Sequence, residues 1–229
     1  MWEKAIHEEL AVLKAAETWE LVDAPIGANI VGSKWVFCAK KDAASNMVQY
    51  KARLVVQGFS QVPGVDYINT FAPVAHLTSI RAVLAMAAVN DYEIHQIDIK
   101  GAYLNGKLTS KETIYMKQPP GYTDSDQHSR VCHLLKTLYG LKQSGRHWYQ
   151  VLVQIMKILG FLQCEVDQAV FYRRDGTALC IVLVHVDGCT IIATSKQLID
   201  RFKTSIAKHV EISDLRELHW ILGIEVRCE

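Results

Sequence analysis

Two carboxylates stand where a chain could hold divalent cations. The stretch Leu179–Thr194 reads LCIVLVHVDGCTIIAT, two β-prone apolar runs separated only by Asp187-Gly188. Asp-Gly between such runs is the strongest short-range hairpin signal, so a carboxylate is expected at the tip of a buried hairpin. Taken alone, Asp187 reads as a turn residue favoured by its own side chain and the following glycine. A second stretch, Asp91–Gly106, reads DYEIHQIDIKGAYLNG, and there Asp98 ends another alternating, strand-like run. Two acids at two strand ends could share divalent metal ions.

The elements that must position these acids can be followed along the chain. Residues Trp2–Ala16 place Ile6, Leu10 and Leu13 at helical spacing among charges, predicting an amphipathic helix. The period then changes to two: GSKWVFCAKKD and MVQYKARLVVQGF, joined through Ala43–Asn46, read as a hairpin. Lys51 and Arg53 are two apart and share a face of its second strand, either as an exposed edge or as a paired grip for phosphate oxygens. Thr78 or Ser79 is expected to cap a helix through Ala88, and Ser144 a helix running to Leu159 and stopping at Gly160. Asn105-Gly106 predicts a turn, Ile114–Lys117 a short strand and Pro119-Pro120-Gly121 a break. A strand at Ala169–Arg173, a helix from Ser195 to Lys208 and a closing strand at His219–Arg227 complete the reading. The Asp98 strand, the helix after Ser144, the hairpin, the helix after Ser195 and the last strand give the order βαββαβ. That is a split-βαβ antiparallel sheet with helices on one side, an α+β fold in which Asp98 and Asp187 can meet.

With 229 residues and 50% apolar content, the chain can bury a substantial core. No apolar run approaches the ~20 residues of a membrane helix, and the N-terminus is no signal peptide, so a soluble intracellular protein without a membrane partner is expected. Cysteines 38, 132, 164, 180, 189 and 228 form no CxxC pair and read as reduced core residues. Cys180, His185 and Cys189 are the nearest approach to a zinc pattern, but strand alternation sends Cys180 and His185 to opposite faces. A net charge of +1 neither demands nor excludes nucleic acid. Basic residues do cluster, with Lys34, Lys40, Lys41, Lys51 and Arg53 in one region and Lys136, Lys142 and Arg146 in another.

Nine blocks resemble one family in order along nearly the whole chain. They are TWELV at Thr18–Val22, KWVF at Lys34–Phe37, YKARLVVQGFSQ at Tyr50–Gln61, DYINTFAPV at Asp66–Val74 and LTSIR at Leu77–Arg81. QIDIKGAYLNG at Gln96–Gly106, YMKQPPGY at Tyr115–Tyr122, LYGLKQSGRHWY at Leu138–Tyr149 and LGIEV at Leu222–Val226 complete the set. The chain resembles the reverse transcriptase (RNA-directed DNA polymerase) domain of copia-type LTR retrotransposons. The resemblance implies fingers at residues 1–92 and 107–144 and a palm at 93–106 and 145–229. It implies two Mg²⁺ ions, with Mn²⁺ as a substitute, held by Asp98 and Asp187 for nucleotidyl transfer from dNTPs to a primer 3′-OH. It implies that Lys51 and Arg53 contact the incoming triphosphate, that Tyr103 blocks a 2′-hydroxyl and that Gln143 lies beside the nucleotide sugar.

The departure falls at the hairpin. The family pattern Tyr-Val-Asp-Asp is here His185-Val186-Asp187-Gly188, so Gly188 occupies the position of a lost third acid. The site should then bind metal more weakly, and a protonated His185 would repel cations further. The resemblance further implies a template with primer as partners, together with the rest of a Pol polyprotein: integrase upstream, thumb and RNase H downstream. The chain is expected to lack the thumb and to show weak or no activity in isolation. Its implied setting is a cytoplasmic virus-like particle or the nucleus. The competing reading is a non-catalytic nucleic-acid-binding remnant of a decayed element. An unrelated split-βαβ RNA-binding module would want base-stacking aromatics on its central strands, where this chain has Asp98 and the run IVLV.

Overall fold

A computed structural model of the chain describes residues 1–41, 47–109 and 112–227. The elements follow in the order α1 (Trp2–Ala15), β1 (Trp19–Val22), β2 (Ile30–Val31), β3 (Ser33–Lys41), β4 (Met47–Val56), α2 (Leu77–Asn90) and β5 (Glu93–Ile99). Then come β6 (Tyr115–Met116), β7 (Val131–Leu134), α3 (Ser144–Ile158), β8 (Leu162–Gln163), β9 (Val170–Asp175) and β10 (Ala178–His185). The chain continues through β11 (Gly188–Ala193), α4 (Lys196–Ile206), β12 (Ile212–Glu217), β13 (Trp220–Ile221) and β14 (Ile224–Glu225). Contacts divide it into two units, Met1–Phe71 with Tyr103–Trp148, and Ala72–Ala102 with Tyr149–Glu229.

In the first unit β3 and β4 form the expected antiparallel hairpin, in register from Ser33 opposite Val56 to Lys40 opposite Gln49. The predicted connection at Ala43–Asn46 lies outside the described residues. Alternation along β4 turns Ala52, Leu54 and Val56 inward and leaves Lys51 and Arg53 half-buried on the other face. Helix α1 buries Ala5 and Ile6 against Ala52, as its spacing predicts. Leu13, Leu54, Val56, Ile114, Met116, Leu134 and Leu138 make the core here. Each such side chain contributes roughly 1.5–3 kcal/mol on burial. A second, four-stranded sheet has the order β1-β7-β6-β2.

The second unit is a six-stranded sheet of order β12-β5-β11-β10-β9-β8, antiparallel throughout. The expected βαββαβ path is present, with β5 beside the hairpin β10–β11 near the sheet centre. Two details differ from the sequence reading. The strand that closes the path is β12, and His219–Arg227 instead carries the two-residue hairpin strands β13 and β14. Leu222 and Gly223 both have positive φ (+46° and +81°), which turns the chain back on itself. Strand β12, ISDLRE, is polar because it is an edge, where alternation is not demanded.

The helix starts also differ. His76, not Thr78 or Ser79, is the N-cap of α2, and the Ser79 side chain bonds the carboxylate of Asp167 instead. Ser144 is the first residue of α3, and its hydroxyl donates to the Leu138 carbonyl at 2.5 Å. Gly160, at φ +78°, ends α3 as predicted. Among the cysteines, 132, 180 and 189 are buried, but Cys38 is exposed on β3, so it is not a core residue; Cys228 lies outside the described residues. No helix among the described residues is long and apolar enough to cross a membrane.

Candidate active site

Strand pairing in the second unit places the two aspartates. In the β10–β11 hairpin His185 is opposite Gly188, so the two turn residues are Val186 and Asp187, one position earlier than the Asp-Gly signal predicts. Gly188 is the first residue of β11, directly opposite Asp98 on β5. The Ile99 N–H donates to the Asp187 carbonyl at 2.9 Å, fastening the turn to the end of β5. Directly opposite residues project to one face, so His185, position 188, Asp98 and Ser213 form a row across β10, β11, β5 and β12. Cys180 alternates to the other face from His185.

The turn carries strain. Val186 has φ +60°, a left-handed conformation that a β-branched residue adopts at a cost of about 1–2 kcal/mol. On β11 the buried Cys189 thiol is pushed up to about 12, first by burial and then by the charges of Asp187 and Asp98. Both carboxylates therefore act on one buried group. Among the described residues, no three His, Cys, Asp or Glu gather in a way that could hold a metal ion. Two carboxylates still suit a divalent ion that keeps several waters and takes its remaining ligands from substrate phosphates. A Cβ built on Gly188 would meet only the His185 carbonyl oxygen at 3.5 Å and Gln96 Nε2 at 4.0 Å, so packing does not require glycine there.

The opposite face of β5 rests on α4 and carries a polar cluster that no local pattern announces. Lys203 is buried, with Nζ 2.8 Å from His95 Nδ1 and 2.6 Å from Asp214 Oδ1. Burial, then the Lys203 charge, holds His95 below its usual range. Burial opposes ionisation of Asp214, but hydrogen bonds from Lys203 and the Arg216 N–H outweigh it and lower its pKa. With Nδ1 accepting from Lys203, the proton of neutral His95 is assigned to Nε2, which is buried without a partner among the described residues.

The first unit holds the remaining candidates. Lys51 and Arg53 project from the same face of β4; burial raises the pKa of Glu9 on α1, against the Leu54 N–H that bonds its carboxylate and the charges of Lys51 and Arg53. The Arg53 guanidinium lies 4.7 Å from the ring centroid of Tyr139. Tyr139 in turn meets Tyr103 edge to face, with centroids 4.8 Å apart at 67°. The Tyr103 carbonyl accepts from the Thr137 hydroxyl and the Gly106 N–H. Gly106 is obligatory in this packing, since a Cβ would come within 2.6 Å of Thr137 Oγ1 and 2.9 Å of His147 Cβ.

Gln143 is fully buried and its amide is engaged at both ends. Its Nε2 donates to the Asp66 carbonyl at 2.9 Å, and its Oε1 accepts from Gln61 Nε2 at 3.1 Å. Gln61 Oε1 accepts from the Lys142 N–H, while the buried Asp66 carboxylate accepts from Asn29 Nδ2 at 2.6 Å and the Val62 N–H at 2.7 Å. The sequence singled out Gln143 but not Gln61, Asp66 or Asn29. Both Gln61 and Asp66 sit inside quoted motif blocks, and that was the available signal.

Comparison with known proteins accounts for this pattern. The family model described as reverse transcriptase (RNA-dependent DNA polymerase) matches residues 16–229. The chain is 38% identical over 227 residues to a retrovirus-related Pol polyprotein from transposon RE1 of Arabidopsis thaliana, covering 99% of this chain and 15% of that protein. It is 40% identical over 224 residues to the corresponding polyprotein from transposon TNT 1-94 of Nicotiana tabacum, covering 97% and 17%. It thus spans about a sixth of the length of these relatives. A foamy viral protease–reverse transcriptase solved in complex with double-stranded DNA shares the fold, with a TM-score of 0.50 at 12% identity over 98% of this chain and 34% of that one. With the match running from residue 16 to the last residue and relatives of this likeness, the chain belongs to the reverse transcriptase (RNA-dependent DNA polymerase) family, in its copia-type retrotransposon branch.

Proposed function

We propose that this domain adds deoxynucleotides to a primer 3′-OH on an RNA or DNA template, with Asp98 and Asp187 as the carboxylates of the reaction. The observation that carries the reading is the register of β5 with β11, which sets Asp98 against the hairpin whose turn presents Asp187. Mg²⁺ ions, or Mn²⁺ in their place, would stabilise the attacking and leaving oxygens of the in-line displacement. Asp98 and Asp187 supply the negative charge that holds such cations, and the buried strands beneath them fix where that charge sits.

In the same reading residues 93–106 and 145–229 form the palm and residues 1–92 and 107–144 the fingers. Lys51 and Arg53 grip the triphosphate as charge-assisted donors, and Arg53 adds a planar fork. Tyr103 stands against a ribose 2′-hydroxyl. Gln143 acts beside the sugar, and its bonds to Gln61 and Asp66 support a role in shaping that wall. Template, primer and dNTPs are then the partners, within a longer Pol polyprotein that acts inside the cell.

Gly188 supports a second reading, a scaffold that still binds nucleic acid but no longer turns over. It removes one charge from the row that contains Asp98, and the exposed His185 adds no carboxylate. Primer extension on poly(rA)/oligo(dT) with Mg²⁺ or Mn²⁺ separates the two. Extension by the natural chain, abolished in Asp98→Asn, establishes a live enzyme with two carboxylates. Extension only in Gly188→Asp establishes the non-catalytic reading. No extension in either, with no binding of the template–primer, overturns both.

A further inference from the structure

The geometry points to Tyr139 as a positioning residue for nucleotide selection, setting both the arginine that meets the triphosphate and the tyrosine that meets the sugar. This rests on the polymerase reading of Arg53 and Tyr103 and extends it to a residue that reading leaves without a role.

Three observations within the first unit converge on this ring. The Arg53 guanidinium carbon lies over it, 4.7 Å from the centroid, and Tyr103 packs against it at 4.8 Å in an edge-to-face arrangement. A cation over an aromatic face is attracted by the ring quadrupole, so Arg53 samples fewer positions than a free arginine on the same strand. Edge-to-face packing likewise restrains the tilt of Tyr103.

The backbone of Tyr139 is itself clamped to the strand that carries Arg53. Its carbonyl accepts from the Val56 N–H at 2.8 Å. The next residue, Gly140, has φ +93°, and a Cβ there would lie 2.0 Å from the Val56 carbonyl oxygen. The backbone that carries the ring is thus fastened to the strand that carries the arginine. All three side chains are only half-buried, so the stack borders solvent where a nucleotide could reach it. A purely packing aromatic would be expected inside the core, among Leu54, Val56 and Leu138.

Arg53 prepositioned in this way loses less freedom when it meets a phosphate, so the ring should favour triphosphate binding without touching it. Tyr103, held by the same ring, keeps its place against the sugar. Loss of the ring should then weaken nucleotide binding and, separately, blur the distinction between ribose and deoxyribose.

The test uses Gly188→Asp as the reference chain, read by dTTP and UTP binding and by single-nucleotide extension on poly(rA)/oligo(dT). Tyr139→Phe keeps the ring and should recover most of the affinity and selectivity that Tyr139→Leu loses. Tyr139→Leu should raise the dTTP dissociation constant about three- to tenfold, leave kcat within about twofold, and lower the preference for dTTP over UTP. With Arg53→Gln in the background, Tyr139→Leu should have little further effect on dTTP affinity, because its action passes through the arginine. Equal loss for dTTP and UTP, an effect confined to kcat, or full additivity with Arg53→Gln would overturn the role of Tyr139 and leave the polymerase reading intact. Failure of the reference chain to bind either nucleotide would overturn that reading, and the role of Tyr139 with it.

Discussion

Gly188 and Asp98 face each other directly across β11 and β5, and a side chain at position 188 would project to the face that bears the aspartate. Any side chain placed at position 188 would therefore act directly on Asp98.

Gly188→Asp should fold, because the nearest atoms to its Cβ are at 3.5 and 4.0 Å. Without metal it should destabilise the protein by up to about 1 kcal/mol, as like charges directly opposite on neighbouring strands repel. Mg²⁺ at millimolar concentration should reverse that loss and bind about tenfold more tightly than to the natural chain, a difference of about 1.4 kcal/mol. Thermal unfolding with and without Mg²⁺, for both chains, measures each quantity.

Val186→Gly should stabilise the hairpin, because φ +60° is costly for valine and free for glycine. The relief of about 1–2 kcal/mol is partly offset by the greater freedom of glycine in the unfolded chain, leaving a net gain of up to about 1 kcal/mol. Urea unfolding would show a higher midpoint at unchanged slope. A lower midpoint would mean that contacts of the valine side chain outweigh the strain.

Stability should fall as pH is lowered below about 6.5, through His95. Its pKa is depressed in the folded state by burial and by Lys203, so below 6.5 the unfolded chain binds a proton that the native chain refuses. Protons thus favour unfolding from 6.5 down to the folded pKa. His95→Gln should flatten the curve of unfolding free energy between pH 7.5 and 5, whereas Asp214, whose pKa is lowered, withdraws its contribution only at more acidic pH, below the ordinary carboxylate value. An unchanged slope in His95→Gln would assign the pH dependence to another group.

Gly140→Ala should be among the most damaging small substitutions. The residue needs φ +93°, and a Cβ would strike the Val56 carbonyl at 2.0 Å. A loss of about 3 kcal/mol or more follows if the backbone must part, and the Val56–Tyr139 hydrogen bond is then the first to go. Amide exchange at Val56 would report that opening directly, and slow exchange in the variant would contradict it.

The sequence by itself determined a good deal of this protein. The apolar runs around Asp187, the alternation ending at Asp98 and the intervening helices specify the path as far as βαββα, which brings β5 beside the hairpin, whereas the closing strand is β12 and not the expected His219–Arg227. Lys51 and Arg53 fall on one face by the period of two alone. These are local signals, carried by residue types a few positions apart. The motif blocks told the family because their order spans the chain, and the comparisons bear that out.

Other features waited on tertiary structure, for identifiable reasons. Strand β12 is charged, so its place at the sheet edge is set by hydrogen bonding to β5 rather than by apolar periodicity. The hairpin turn sits one residue early because Asp98 and the Ile99 N–H hold Gly188 and Asp187 from across the sheet, overriding the preference of Asp-Gly. Ser79 and Ser144 look like caps, yet their hydroxyls are drawn to Asp167 and to the Leu138 carbonyl. The stack of Arg53, Tyr139 and Tyr103, the Gln143 network and the pairing of Lys203 with His95 and Asp214 join residues far apart in the chain. No local pattern encodes such partners, because each is chosen by what the fold places opposite it.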